Sequence, residues 1–434
     1  MPRVLLLLPT TSYRTDAFLA AAARLQVDVT VASEQPNSMA HLNPAALLTL
    51  DFANPQAAAE HVETFAKRYP IDAVVPVDSQ VVAVGAAIAT VLGLRHNSLE
   101  AALCAGDKYR SRLQFHQAGV AAPEFRLCSF AEDRTVLAAT VPFPCVVKPL
   151  ALSGSQGVMR ADNPGQFAEV VDRLAAILAC PEGGAAGDEV AAADDSMTGC
   201  GAVAELSPAH AQEFLVERFV SGPEVALEGL LTDGKLQMLA LFDKPDPLEG
   251  PFFEETIYMT PSRLAPETQQ EIVHCAQQAA AALGLTEGPV HAELRLAVDG
   301  PSVIEVNPRS IGGLCSRVLR FGIQCALEDL ILGHALDADF ELPALSRQPA
   351  GVMMIPIPRA GRLREVHGLD AARGVAGIDN VTLSAHPGQR LVPLPEGARY
   401  LGFLFARAES GEAVEAALRT AHNQLEFVID SDVT

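Results

Sequence analysis

In the run VIEVNPRSIGG, residues 303–313, a glutamate, an asparagine and an arginine stand at alternate places. Side chains of an extended chain alternate between two faces. Val303, Glu305, Asn307 and Arg309 are therefore expected on one face, with Ile304, Val306 and Pro308 on the other. The second face reads as core, while the first carries two oxygen donors and a permanent cation. Upstream, HAELRL (291–296) leads into AVDGPS, where Asp299 and Gly300 form a hairpin turn signal. Folding about that turn brings Glu293 nearly opposite Glu305. Carboxylates directly across a strand pair repel, so the arrangement calls for a cation between them. Glu293, Glu305 and Asn307 offer hard oxygen donors suited to Mg²⁺ or Mn²⁺ shared with phosphates. Arg309 can reach a phosphoryl oxygen with two N–H groups at once. On these residues alone, the solvated outer face of a hairpin competes with the metal reading.

A second group surrounds the glycine-rich loop LSGSQGV. Ser153, Gly154, Ser155, Gln156 and Gly157 lie between two strand patterns, where glycines let backbone N–H groups approach phosphates. No Lys-Ser/Thr follows, so it is not a P-loop, and an ordinary hairpin turn is the rival reading. Lys148 in CVVKP strengthens the phosphate reading, because a lysine ending an apolar strand is poorly placed for burial. Lys108 in AGDKYRS, at a helix start, is a second candidate cation. In FLVERFVSGPEVALEGL, Glu217 and the backbone at Phe219 and Val220 could read adenine, and Glu224 could bind ribose hydroxyls.

These residues need elements to hold them. The chain has 434 residues, 49% apolar and 19% charged, enough for a core divided into two to four subdomains. No apolar run reaches the 18 or so residues of a membrane span, and residues 4–8 read as a buried strand. Eight cysteines without metal-ligand spacing read as free thiols of a reducing cytoplasm. The net charge of −22 argues against a nucleic-acid surface. Residues 1–100 alternate strand and helix patterns in the rhythm of a doubly wound parallel sheet. Their first turn, PTTSYRTD, lacks GxGxxG and with it the usual dinucleotide site. Residues 101–345 hold the motifs above, with a helix ending at Gly119 and another at 266–283. The stretch 181–211, rich in Gly, Ala and acids, reads as a mobile insertion. Residues 346–434 read as a small α/β cap with its own strands and a helix at 411–424.

Taken in order, the DK at 107–108, VVKP with SGSQGV, VERFVSGPE, HAELRL and VIEVNPRSIGG resemble the ATP-grasp superfamily. The resemblance spans residues 1–345. It implies an α/β ATP-grasp fold with an N-terminal Rossmann-like domain, a lid at about 125–220 and a small C-terminal α+β domain. The first domain, the C-terminal domain and the loop GPFFEETIYMTPSRL (250–264) look like the carboxylate–amine ligase branch that contains bacterial L-amino acid ligases and carnosine synthases. For this chain that implies ATP phosphates on Lys108 and Lys148 under the 153–157 loop, and adenine at Glu217 and Val220. It also implies ribose on Glu224, two Mg²⁺ ions on Glu293, Glu305 and Asn307, and phosphoryl transfer assisted by Arg309 and Lys148. Substrate contacts would fall to Glu254, His291, the Gly312–Gly313 turn and Arg317, although His291 equally suits a hydrogen bond within the site. Cys315 has no base partner and no nucleophile role. The expected substrates are a carboxylate and an amine, both amino acids, with no nucleic acid or membrane involved and a homodimer as default. A carboxylating or formylating relative is the alternative, with Arg295, Arg309, Arg317 and Arg320 as its anion pocket.

Overall fold

Residues 3–100 build the parallel sheet that their alternating patterns predict. The computed structural model describes residues 1–179 and 211–431 apart from 324, 338 and 339, so the predicted 181–211 insertion lies almost wholly outside the described residues. Strands Leu47–Thr49, Asp28–Ser33, Arg3–Leu7 and Ala73–Pro76 lie side by side in that order, all parallel. Val4 and Leu6 face one core and Leu5 and Leu7 another, as a sheet covered on both faces requires.

The stretch expected to act as a lid holds a four-stranded antiparallel sheet, ordered Phe125–Ser129, Glu213–Arg218, Cys145–Lys148, Met159–Ala161. Helix Pro164–Ala179 covers it through Phe167, Val171 and Leu174, spaced three and four apart on one stripe. The glycine loop joins the last two strands, on the side of the lid that faces the pocket.

An eight-stranded antiparallel sheet carries the rest. Its order is Gly300–Asn307, Gly288–Ala297, Glu224–Thr232, Lys235–Asp243, Ile257–Thr260, Ala350–Ile355, Gly402–Arg407, Ile378–Leu383. The expected cap has strands of its own, but three of them continue the central sheet. Strand Ala350–Ile355 pairs directly with Ile257–Thr260 and extends the sheet, and both strands are buried throughout. Only Arg390–Leu391, Gly361–His367 and Glu426–Asp430 form a separate small sheet.

The hairpin departs from simple alternation. Glu293 pairs with Glu305, but the next partner of Leu294 is Val303, leaving Ile304 as an extra residue in the strand. The bulge turns Val303 to the same buried side as Val306, against helix Pro266–Ala282. The expectation that Val303 shares the face of Glu305 is corrected accordingly. The freed Ile304 carbonyl accepts a hydrogen bond from Arg112 at 2.6 Å.

Candidate active site

Period-two alternation places a charged row on one face of strand Glu224–Thr232. Val225, Leu227 and Leu231 point into the core, while Glu224, Ala226 and Glu228 point the other way. Opposite them on the next strand stand Arg295, Glu293 and His291. Glu224 pairs with Arg295 at 3.1 Å, and Glu228 accepts from His291 Nδ1. Glu293 then lies directly across from Glu305, as the hairpin predicts.

This face opens on a pocket enclosed between the glycine loop, the strand ending at Arg218 and the Glu293–Glu305 hairpin. Lys108, Lys148, Ser153, Gly154, Ser155, Glu217, Phe219, Val220, Glu224, Glu293 and Glu305 all line it. Motifs up to about 200 residues apart thus converge on one cavity. Lys108 Nζ donates to Leu152 O at 2.5 Å and lies 3.9 Å from Glu305, tying helix start, glycine loop and hairpin together. The helix Lys108–Ala118 begins there because Asp107 caps the N–H of Arg110.

At the lid end, Glu217 lies 2.6 Å from Lys148 Nζ and 2.8 Å from Arg112. All three are buried. Burial opposes the charge of Glu217, but the two cations outweigh it and hold its carboxyl below the ordinary range. Lys148 is shifted down, because desolvation exceeds the help it gets from Glu217. Both Glu217 oxygens are thus held by cations, so its main effect is to fix Lys148. Phe219 stacks near Phe253, with ring centroids 6.3 Å apart, and the Val220 carbonyl is taken by Arg295 at 3.0 Å.

At the far end sits Lys244, which the sequence reading passed over. Its ammonium is 2.7 Å from Glu224, 3.2 Å from Glu293, in contact with Glu255, and over the ring of Tyr258. Burial opposes its charge; the three carboxylates outweigh burial and hold its proton far above the ordinary lysine range. Glu293 is correspondingly held well below the carboxylate range, burial being overcome by Lys244 and His291. Burial, with Glu293 beside it, raises Glu255 to about 7, and Tyr258 donates to it at 2.6 Å. His291 is held up to about 9, since Glu228 and Glu293 outweigh its desolvation. Its two nitrogens are engaged by Glu228 and Glu293 within the protein.

Other expected residues fall outside this pocket's lining. Gln156 and Gly157 turn away from it, toward residues 395 and 396. Asn307 is buried beside His291 on the neighbouring strand. Arg309 donates to Ser79 Oγ at 2.8 Å, so the N-terminal domain orients it. The following turn is held by buried Arg14, which donates to Ser310, to Ile311 O at 3.0 Å and to Glu328 at 2.7 Å. Gly313 has φ +59° there, a conformation that favours glycine. Glu254 is half-buried and pushed up by desolvation, but its neighbour Glu255 is the one that lines the pocket. Arg317 is exposed and lies over Phe405, 5.7 Å from the ring, rather than in the pocket. The four arginines proposed as an anion pocket do not gather: Arg295 is locked to Glu224 and two carbonyls, Arg309 to Ser79, Arg317 to Phe405, and Arg320 is exposed. Cys315 is buried against Met354, and the six cysteines among the described residues are free thiols.

Hard oxygen donors facing one another at Glu293 and Glu305, with Glu293 firmly ionised, fit a divalent cation. Glu224, Glu255 and Glu293 also come within 4.8 Å of one another, but there the Lys244 ammonium already supplies the positive charge.

Lid, glycine loop, paired carboxylates and continuous antiparallel sheet together define an ATP-grasp fold. Family models agree: ATP-grasp N-terminal domain matches residues 19–96, ATP-grasp domain 190–318, and L-amino acid ligase C-terminal domain 2 residues 353–430. The solved structure of an L-amino acid ligase from Bacillus licheniformis superimposes with a TM-score of 0.80 at 24% identity, covering 99% of both chains. Alanine–anticapsin ligase of Bacillus amyloliquefaciens is 26% identical over 310 residues, 68% of this chain and 61% of that protein. Carnosine synthase 1 of Gallus gallus is 29% identical over 230 residues, 52% of this chain and 23% of that protein. The chain thus spans less than two thirds of the length of the curated relatives it matches. Among the described residues no helix is long and apolar enough to cross a membrane.

Proposed function

We propose that the protein is an ATP-dependent carboxylate–amine ligase that joins two amino acids through an acyl-phosphate, releasing ADP and phosphate. The observation that carries this reading is the convergence of Lys108, Lys148, the 153–155 loop, Glu293 and Glu305 on one pocket. The similarity to an alanine–anticapsin ligase and a carnosine synthase points the same way. Lys108 and Lys148 bind phosphate oxygens, and the loop's backbone covers them. Glu293, Glu305 and Asn307 would hold Mg²⁺ or Mn²⁺, with two ions expected, which would neutralise phosphate charge. A substrate carboxylate oxygen bonds to the γ-phosphorus as the β–γ P–O bond breaks and ADP leaves. The amine nitrogen of the second substrate then bonds to the acyl carbon, the C–O bond to phosphate breaks, and the departing phosphate takes the surplus proton.

Catalysis of this kind is positioning and charge compensation. Glu217 fixes Lys148 at the pocket, and Ser79 holds Arg309 beside it, from where lid closure would bring it to the transferring group. Closing the lid keeps water from the acyl-phosphate. A cytoplasmic homodimer completes the reading, its stoichiometry open to light scattering.

ADP release is to be measured with ATP and Mg²⁺ against all pairs of the twenty L-amino acids plus β-alanine, with mass spectrometry of the products. ADP formation that requires two amino acids and yields a dipeptide is expected. A protein that binds no ATP would sink the reading.

A further inference from the structure

Three contacts join the glycine loop and the helix that covers the lid to a turn more than 200 residues later in the chain. The Gly157 N–H donates to Pro395 O at 2.9 Å. Gln156 Nε2 donates to Glu396 O at 2.7 Å. Arg173, on the helix that covers the lid, donates to both oxygens of the Glu396 carboxylate at 2.6 and 3.0 Å. A fourth approach is steric, since a Cβ on Gly154 would touch that of Ala398 at 3.5 Å.

The turn presenting these groups is built to be stiff. Gly397 N–H closes it on Pro393 O at 2.8 Å, and a Cβ at Gly397 would meet Val392 O at 1.9 Å. Pro393 and Pro395 fix two backbone φ angles within it. Arg173 is braced from the other side by Phe252, its guanidinium 5.0 Å from the ring. The glycine loop therefore lies between the pocket, lined by Ser153–Ser155, and a rigid turn of the C-terminal region.

We propose that Glu396 is a positioning residue: with Arg173 it latches the glycine loop of the lid to the C-terminal region, and so sets how tightly the loop closes over nucleotide phosphates. The proposal rests on the nucleotide reading of the pocket. Glu396 and Arg173 are partly exposed, so the latch is weak enough to open during turnover.

The test measures amide hydrogen exchange of residues 153–158 in the ligand-free protein, together with KM for ATP and kcat. Glu396→Ala and Arg173→Ala are each expected to speed exchange at Gly157 and raise KM about three-fold, with kcat unchanged. The double variant should be no worse than either single, and the exchange Arg173→Glu with Glu396→Arg should restore both readouts. A merely structural pair would lower melting temperature without a KM-selective change, and that result overturns the latch. So do additive single effects, or unchanged exchange in a protein that binds ATP. Failure of the unaltered protein to bind ATP would instead overturn the nucleotide reading, and this proposal with it.

Discussion

At one end of the pocket a single carboxylate, Glu217, lies between Arg112 and Lys148; at the other a single ammonium, Lys244, lies among Glu224, Glu255 and Glu293. Each arrangement buries a charge that would be costly alone and surrounds it with opposite charges. What differs is the excess. The first end, with Lys108 close by, has cations to spare and suits phosphate. The second has carboxylates to spare, with Glu305 adding to them, and suits metal. A substrate carrying phosphates and divalent ions spans the two, each end recognising the part of opposite sign.

The largest effect expected is at Glu305. Glu305→Ala should lower kcat/KM for ATP about 10³-fold, read by ADP release, while the melting temperature changes little because the side chain is partly exposed to the pocket. A loss under ten-fold would mean that the carboxylate-rich end is not where the cation works. Next come the two lysines. Lys244→Met should destabilise by about 3–5 kcal/mol, since it leaves three carboxylates without their common partner. Added Mg²⁺ should recover part of that loss in thermal melts. Lys148→Met should lower kcat/KM about 10²-fold, and its melting temperature should show no such recovery. Equal responses to Mg²⁺ would erase the contrast between the ends.

Acid sharpens the same contrast. Glu217 has its folded pKa below the ordinary 4.5, so the stability it contributes is complete above that value and is lost as pH falls through the lowered one. The gap in melting temperature between the unaltered protein and Glu217→Gln should be widest near neutrality and close below about pH 4.5, the ordinary value. A gap independent of pH would show that Glu217 is not an ionised partner of Lys148. The smallest effect belongs to Arg317. Arg317→Ala should leave kcat/KM unchanged and cost at most about 1 kcal/mol, the worth of an exposed cation–π contact. A ten-fold drop in kcat/KM would put Arg317 back in the substrate site.

How much of this was legible in the chain depended on how far each residue is from its partner. Glu293 and Glu305 lie on either side of one tight turn, so their pairing follows from local signals. Lys148 was legible as a lysine that ends an apolar strand just before proline. Lys244 ends LALFDK before Pro245 in the same way and was missed, although the same signal was available. Arg112, Glu228 and Glu255 gave no such signal. Each acts through a partner on another element, and a buried charge in a helix or strand looks like a surface one until its counter-charge is in view. The bulge at Ile304 escaped because alternation assumes one residue per step. Nothing in VIEV marks the extra residue, whose role becomes visible only in the bond from Arg112 to its carbonyl. The extension of the central sheet by Ala350–Ile355 is likewise a pairing across about 90 residues that the strand's composition does not announce.

That pairing has a consequence for the protein's solubility. A chain ending at residue 345 would keep every pocket residue, yet strand Ile257–Thr260 would lose its neighbour along one whole side. Its backbone N–H and C=O groups would then face solvent as a ready template for another chain, on a strand whose four residues are all buried in the intact protein. The C-terminal region therefore also protects the molecule from sticking to itself.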